Sequence, residues 1–165
     1  MKALLKIIGG IVALLILILV VLSVTGFSPK GGRPGLWLKG DVVTTPVTDW
    51  SFIDKFETVQ IQTNSWYLLP HSVTIYCVIY QGQLYLTSLV VPGAPPYPGG
   101  RQWNQNLARD PHVRIKIGDQ VYDRTVSYVS DPAEKTGVME SETKKYPKFK
   151  YPANSTFNIF HVLNN

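Results

Sequence analysis

The hydrophobic pattern divides the chain sharply. Ile7 to Val24 runs 18 residues without a charge or a proline. At 1.5 Å per residue this stretch reaches roughly 27 Å, and Leu4, Leu5 and Thr25 extend it toward the ~30 Å of a bilayer's hydrocarbon core. A helix apolar on every side is out of place in a small soluble protein. Residues 1–25 are therefore expected to form an uncleaved transmembrane anchor, touching lipid over residues 4–25. A secretory signal would carry a shorter apolar run and a small-x-small exit, which Leu22-Ser23-Val24-Thr25-Gly26 matches poorly. Lys2 and Lys6 before the segment favour a cytoplasmic N-terminus, although Lys30, Arg33 and Lys39 follow it. That orientation places the remainder outside the cytoplasm, in a periplasmic or extracytoplasmic position.

Residues 26–46 hold Pro29, Gly31, Gly32, Pro34, Gly35 and Gly40 and read as a mobile linker. Beyond them the pattern changes to the short alternations of strands. Thr58 to Thr63 alternates with period two. Ser72 to Tyr80, Gln81-Gly82 and Gln83 to Ser88 form two β-rich runs around a tight turn, the signature of a hairpin. Val91 to Gly100, with four prolines and three glycines, is expected to be a stiff exposed loop. A short helix follows over Arg101 to Arg109, closed by Asp110-Pro111. Strands are expected at Val113–Ile117, Val121–Val129 and Thr156–Leu163. Asp131-Pro132-Ala133-Glu134 starts a helix to about Lys145, with a cap, a first-turn proline and a first-turn acid. The whole is mainly β (α+β): a small β-barrel over residues 47–165 with two short helices, preceded by one transmembrane helix.

Composition narrows the chemistry. The 165 residues carry a net charge of +5. Lys144, Lys145, Lys148 and Lys150 cluster, as a solvated face or as a surface for anionic lipid. No nucleic-acid-binding motif accompanies the charge. The lone Cys77 excludes an intramolecular disulfide and, set among Val73 to Ile79, reads as a small core residue. Three histidines without metal-ligand spacing give no zinc site. There is no Gly-x-Ser-x-Gly elbow and no phosphate loop.

Two stretches carry a resemblance. One is Pro70-His71-Ser72-Val73-Thr74 with Gly82 to Ser88. The other is Gly100-Arg101-Gln102-Trp103-Asn104-Gln105-Asn106-Leu107-Ala108-Arg109-Asp110-Pro111-His112-Val113. Together with the closing Asn158-Ile159-Phe160-His161-Val162, they make residues 57–163 resemble the pyridoxamine 5'-phosphate oxidase-like, FMN-binding split-barrel superfamily, near its deazaflavin-dependent nitroreductase relatives. The resemblance implies a homodimer and a flavin, with FMN as the cofactor and deazaflavin, haem or none as alternatives. It implies a flavin-dependent oxidoreductase. The alternative is a non-catalytic split barrel that binds haem, a quinone or a partner protein. No catalytic residue is assigned.

The implied cofactor contacts are Thr87, Ser88, Arg101 and Gln102 at the phosphate, with His71 and Ser72 as added donors. Trp103 would wall the ring and Asn104 would contact it. The hydroxyls of Thr87 and Ser88 and the Arg101 cation are expected to converge on one anion-sized spot. Trp66 to Ser72 holds no Lys or Arg, which leaves Arg101, and Arg109 or Lys116, to balance a phosphate.

Overall fold

A computed structural model describes residues 1–164; the last residue of the expected barrel, 165, lies outside the described residues. Helix α1 spans Lys2–Thr25 and buries none of its side chains. It is long and apolar enough to cross a membrane.

The strands are β1 (Asp41–Val42), β2 (Thr58–Asn64), β3 (Pro70–Tyr80), β4 (Gln83–Val90), β5 (His112–Ile117), β6 (Gln120–Tyr128) and β7 (Thr156–Val162). Helix α2 is Gln102–Arg109 and α3 is Pro132–Lys145, and a 3-10 turn occupies Ser51–Ile53. The sheet order β1-β6-β5-β2-β3-β4-β7, with a further β6–β7 pairing, closes a six-strand barrel of β2 to β7. The expected elements are present, each within two residues of its sequence-based bounds.

Local chemistry explains them. In β2, Val59, Ile61 and Thr63 point inward while Thr58 and Asn64 are exposed, as alternation requires. Gln81 (φ 53°) and Gly82 (φ 75°) both take the left-handed conformation that a two-residue hairpin turn needs. The Asp131 carboxylate accepts from the Glu134 amide at 2.7 Å, capping α3.

Two clusters of apolar side chains follow from the topology. Ile61, Ile75, Cys77, Leu84, Leu86, Ile115 and Phe160 fill the barrel with Trp50 and Trp103. On the outer face, Val78, Tyr85 and Ile159 pack with Val138 of α3. That second contact explains why β4 is buried on both faces. Tyr97 of the proline-rich loop stacks on Tyr128 at 4.1 Å, so this loop is fastened to the barrel wall.

Within the stretch that the sequence reads as a linker, residues 27–43 are hydrogen-bonded along the barrel. The Phe27 amide donates to Trp37 O and the Leu36 amide to Phe27 O, each at 2.8 Å. Lys30 and Arg33 close the turn between them. Leu38 is fully buried, and its amide donates to the Gln62 side chain at 2.7 Å. Asp41 and Val42 then pair in parallel with β6. The physical reason is that Leu38 and the half-buried Trp37 give the segment apolar surface to bury, while its prolines and glycines only shape the turn.

Candidate functional site

The barrel is split between β3 and β4. The two strands pair only from Cys77↔Leu86 to Tyr80↔Gln83. Before Cys77, β3 pairs with β2; beyond Leu86, β4 continues along β7 alone. The facing edges therefore diverge. In an antiparallel ladder, alternate residues turn their backbone groups to alternate edges. The Ser72 backbone bonds Gly35 and so turns toward the split; Thr74 and Tyr76 share its phase. Counting from the hairpin turn, Thr87 and Leu89 have the matching phase on β4. All four residues line a cavity of about 490 Å³ that fills the split.

Six of the eight residues implied by the resemblance line this cavity: His71, Thr87, Ser88, Arg101, Gln102 and Trp103. Their side chains do different things. Successive strand residues point to opposite faces, so the hydroxyls of Thr87 and Ser88 diverge. Ser88 sits in the phase of Leu84 and Leu86, toward the barrel interior, and accepts from Asn104 Nδ2 at 3.2 Å. Thr87 sits in the phase of Tyr85, toward α3, where its hydroxyl approaches the buried Glu142 carboxyl. Burial raises that carboxyl above its ordinary range, although Tyr151 and Thr87 hydrogen bonds pull it down.

Trp103 is 4% exposed and packs against Phe160 at 5.2 Å, so one ring serves both core and cavity wall. Gln102 donates to Asn106 Oδ1 at 3.1 Å along α2. Half-buried His71 is held below its ordinary pKa by burial, and its ring is neutral at pH 7. Arg101 is exposed at the head of α2, and its guanidinium has no hydrogen bond or ion pair among the described residues.

Two of the eight lie off the cavity. Asn104 is 1% exposed and reaches it only through Ser88. Ser72 is fully buried behind Gly35. The other expected cations are elsewhere: the Arg109 guanidinium donates to Asn64 O, and Lys116 Nζ donates to Lys39 O at 2.6 Å. Asn106, two residues beyond Asn104 on α2, is fully buried. Its Nδ2 donates to the Thr63 hydroxyl at 2.9 Å, tying α2 to β2.

Sequence reasoning missed the strap of the site, Gly32, Arg33 and Pro34, which also lines the cavity. The available signal was a pair of large apolar residues, Trp37 and Leu38, inside a stretch otherwise suited to a free linker.

Solved structures share the overall fold of this domain. The conserved hypothetical protein Rv2991 from Mycobacterium tuberculosis is 17% identical over 75% of this chain and 85% of its own, with a TM-score of 0.52. The domain has a six-strand split-barrel fold. The split barrel is also similar to Campylobacter jejuni ChuZ, at 12% identity over 67% of this chain and 49% of that one, with a TM-score of 0.50. A structure described as a domain-swapped dimer is 20% identical over 66% of this chain and 81% of its own, with a TM-score of 0.51. At these identities the likeness is one of fold. No protein-family model and no curated protein matches the chain.

Proposed function

We propose that this chain is a membrane-anchored flavin-binding protein of oxidoreductase type, taking FMN in the split between β3 and β4. The observation that carries this reading is the split itself: unpaired strand edges at Thr74, Tyr76, Thr87 and Leu89 face one cavity that also receives Arg101. Its volume lies within the range of small-molecule sites. Free backbone amides and a guanidinium suit a phosphate, and Trp103, Val73 and Leu89 offer apolar surface to a ring. A bound flavin supplies the hydride or electron transfer; the chain binds and orients it.

In this reading α1 holds the barrel at a membrane, with the N-terminus cytoplasmic and the domain outside. Two chains pair as a homodimer, as the resemblance implies. Ser88, with its oxygen engaged by Asn104, keeps its own proton for a ligand. His71 adds a neutral donor or acceptor at the cavity edge.

A second reading has one observation in its favour. The Ser88 oxygen is already engaged by Asn104, the Thr87 hydroxyl turns away toward Glu142, and much of the wall is aliphatic or aromatic. A non-catalytic pocket for haem or a quinone is consistent with that.

The full chain, purified in detergent, gives a direct test by visible absorbance. A flavin spectrum supports the first reading, a Soret band supports haem, and a protein that stays colourless after incubation with FMN and removal of the unbound dye rejects flavin. Arg101→Ala is expected to lower FMN occupancy; unchanged occupancy removes its phosphate role.

A further inference from the structure

We propose that the strap between the anchor and the barrel is part of the binding site, and that Arg33 is a second cation for the ligand's phosphate. This rests on the reading of the split as a phosphate-bearing cofactor site. The cation that the β2–β3 hairpin lacks comes from the strap paired to the free edge of β3, a segment that only the tertiary structure brings there.

Gly35 is the clasp. Its amide donates to Ser72 O at 2.8 Å and its carbonyl accepts from the Ser72 amide at 3.0 Å, so the strap pairs with β3 on the edge that β4 has vacated. A Cβ at Gly35 would lie 2.2 Å from Phe27 O, 2.7 Å from Pro29 N and 2.7 Å from Ser72 Oγ. Only glycine fits, because backbone atoms surround the position. Two residues before the clasp, the Arg33 backbone is fixed by its exchange of hydrogen bonds with Lys30. Its side chain is exposed and, among the described residues, has no ion pair or hydrogen bond. It lines the same cavity as Arg101 and His71.

Among the described residues, no carboxylate lines this cavity. The Arg33 and Arg101 guanidiniums, both without a hydrogen bond or ion pair among the described residues, give the cavity two cations. Each can give a charge-assisted, bidentate contact to phosphate oxygens. Because Arg33 sits on the strap, the complete site exists only while the strap is clasped to β3. The membrane anchor and the ligand are thereby joined through residues 26–35.

The test uses the full chain in phosphatidylcholine nanodiscs and three probes: FMN, riboflavin and inorganic pyrophosphate. Affinities are read by titration calorimetry. Arg33→Gln is expected to weaken FMN and pyrophosphate by about tenfold or more and to leave riboflavin unchanged, with Arg33→Lys intermediate. Gly35→Val is expected to give the same selective loss together with faster hydrogen exchange at the Ser72 amide. FMN and pyrophosphate binding that Arg33→Gln leaves intact overturns the role of Arg33 while the flavin reading stands. Pyrophosphate binding that depends on Arg33, without FMN binding, sustains Arg33 and overturns flavin. A wild-type chain that binds neither overturns both. If adding phosphatidylglycerol to the discs abolishes binding of both phosphate probes, the occupant is a lipid headgroup and the soluble-cofactor reading falls.

Discussion

Asn104 on α2 donates to the Ser88 hydroxyl on β4 at 3.2 Å, and both residues are at least 95% buried. A serine oxygen that accepts this bond turns its own proton elsewhere, and Ser88 lines the cavity. Asn104 is thus a positioning residue. Asn104→Ala is expected to destabilise the fold by about 1–3 kcal/mol, since a buried polar pair loses one partner. It should also lower FMN affinity as far as Ser88→Ala does, with the double variant no worse than either single. Chemical denaturation and FMN titration together check this; additive losses would show that the two residues act separately.

The strap's packing predicts an effect on stability. Leu38 is fully buried although it lies outside the expected barrel boundary. Leu38→Ala should destabilise the domain by about 2–5 kcal/mol. A fragment starting at Pro46 should lose this contribution, whereas one starting at Gly26 should keep it. Urea midpoints of the two fragments give the comparison, and equal midpoints would mean that the strap adds nothing.

The buried carboxyl behind Thr87 gives a pH signature. Burial raises Glu142 above its reference of 4.5, so the folded chain holds this proton more tightly than the unfolded chain does. Folding stability from this group is then full at low pH and declines as pH rises through the folded value. Glu142→Gln should remove that decline and leave the fold more stable at pH 8 than wild type. Burial acts in the opposite sense on His71 and His161, which both lie below their reference of 6.5. The unfolded chain takes their protons first, so acidification below that reference should lower stability, and His71→Gln should lessen the acid loss. Denaturation midpoints between pH 5 and pH 8 test both signs.

Cys77 is fully buried, and burial pushes its thiol up to about 11. It should resist alkylation in the folded chain and react fully in denaturant. Rapid labelling under native conditions would place the thiol at the surface.

The elements of this protein were legible in the sequence because they are set locally. Alternation fixes which faces of β2 and β7 turn inward, Gln81-Gly82 fixes the hairpin, and Asp131-Pro132 fixes the start of α3. An 18-residue uncharged run is enough to mark the long apolar helix α1. The motif from Arg101 to Val113 pointed to the barrel fold, and in the structure Arg101 and Trp103 line the cavity.

What the tertiary structure decided is non-local. β3 changes partner at Cys77, from β2 to β4, and that switch opens the split. Nothing in the strand's own pattern marks it, because a side-chain period of two is indifferent to which neighbour takes the backbone hydrogen bonds. The same holds for the strap. Proline and glycine describe how residues 26–46 can bend, but Gly35 meets Ser72 only because the barrel leaves that edge free, and Arg33 arrives with it.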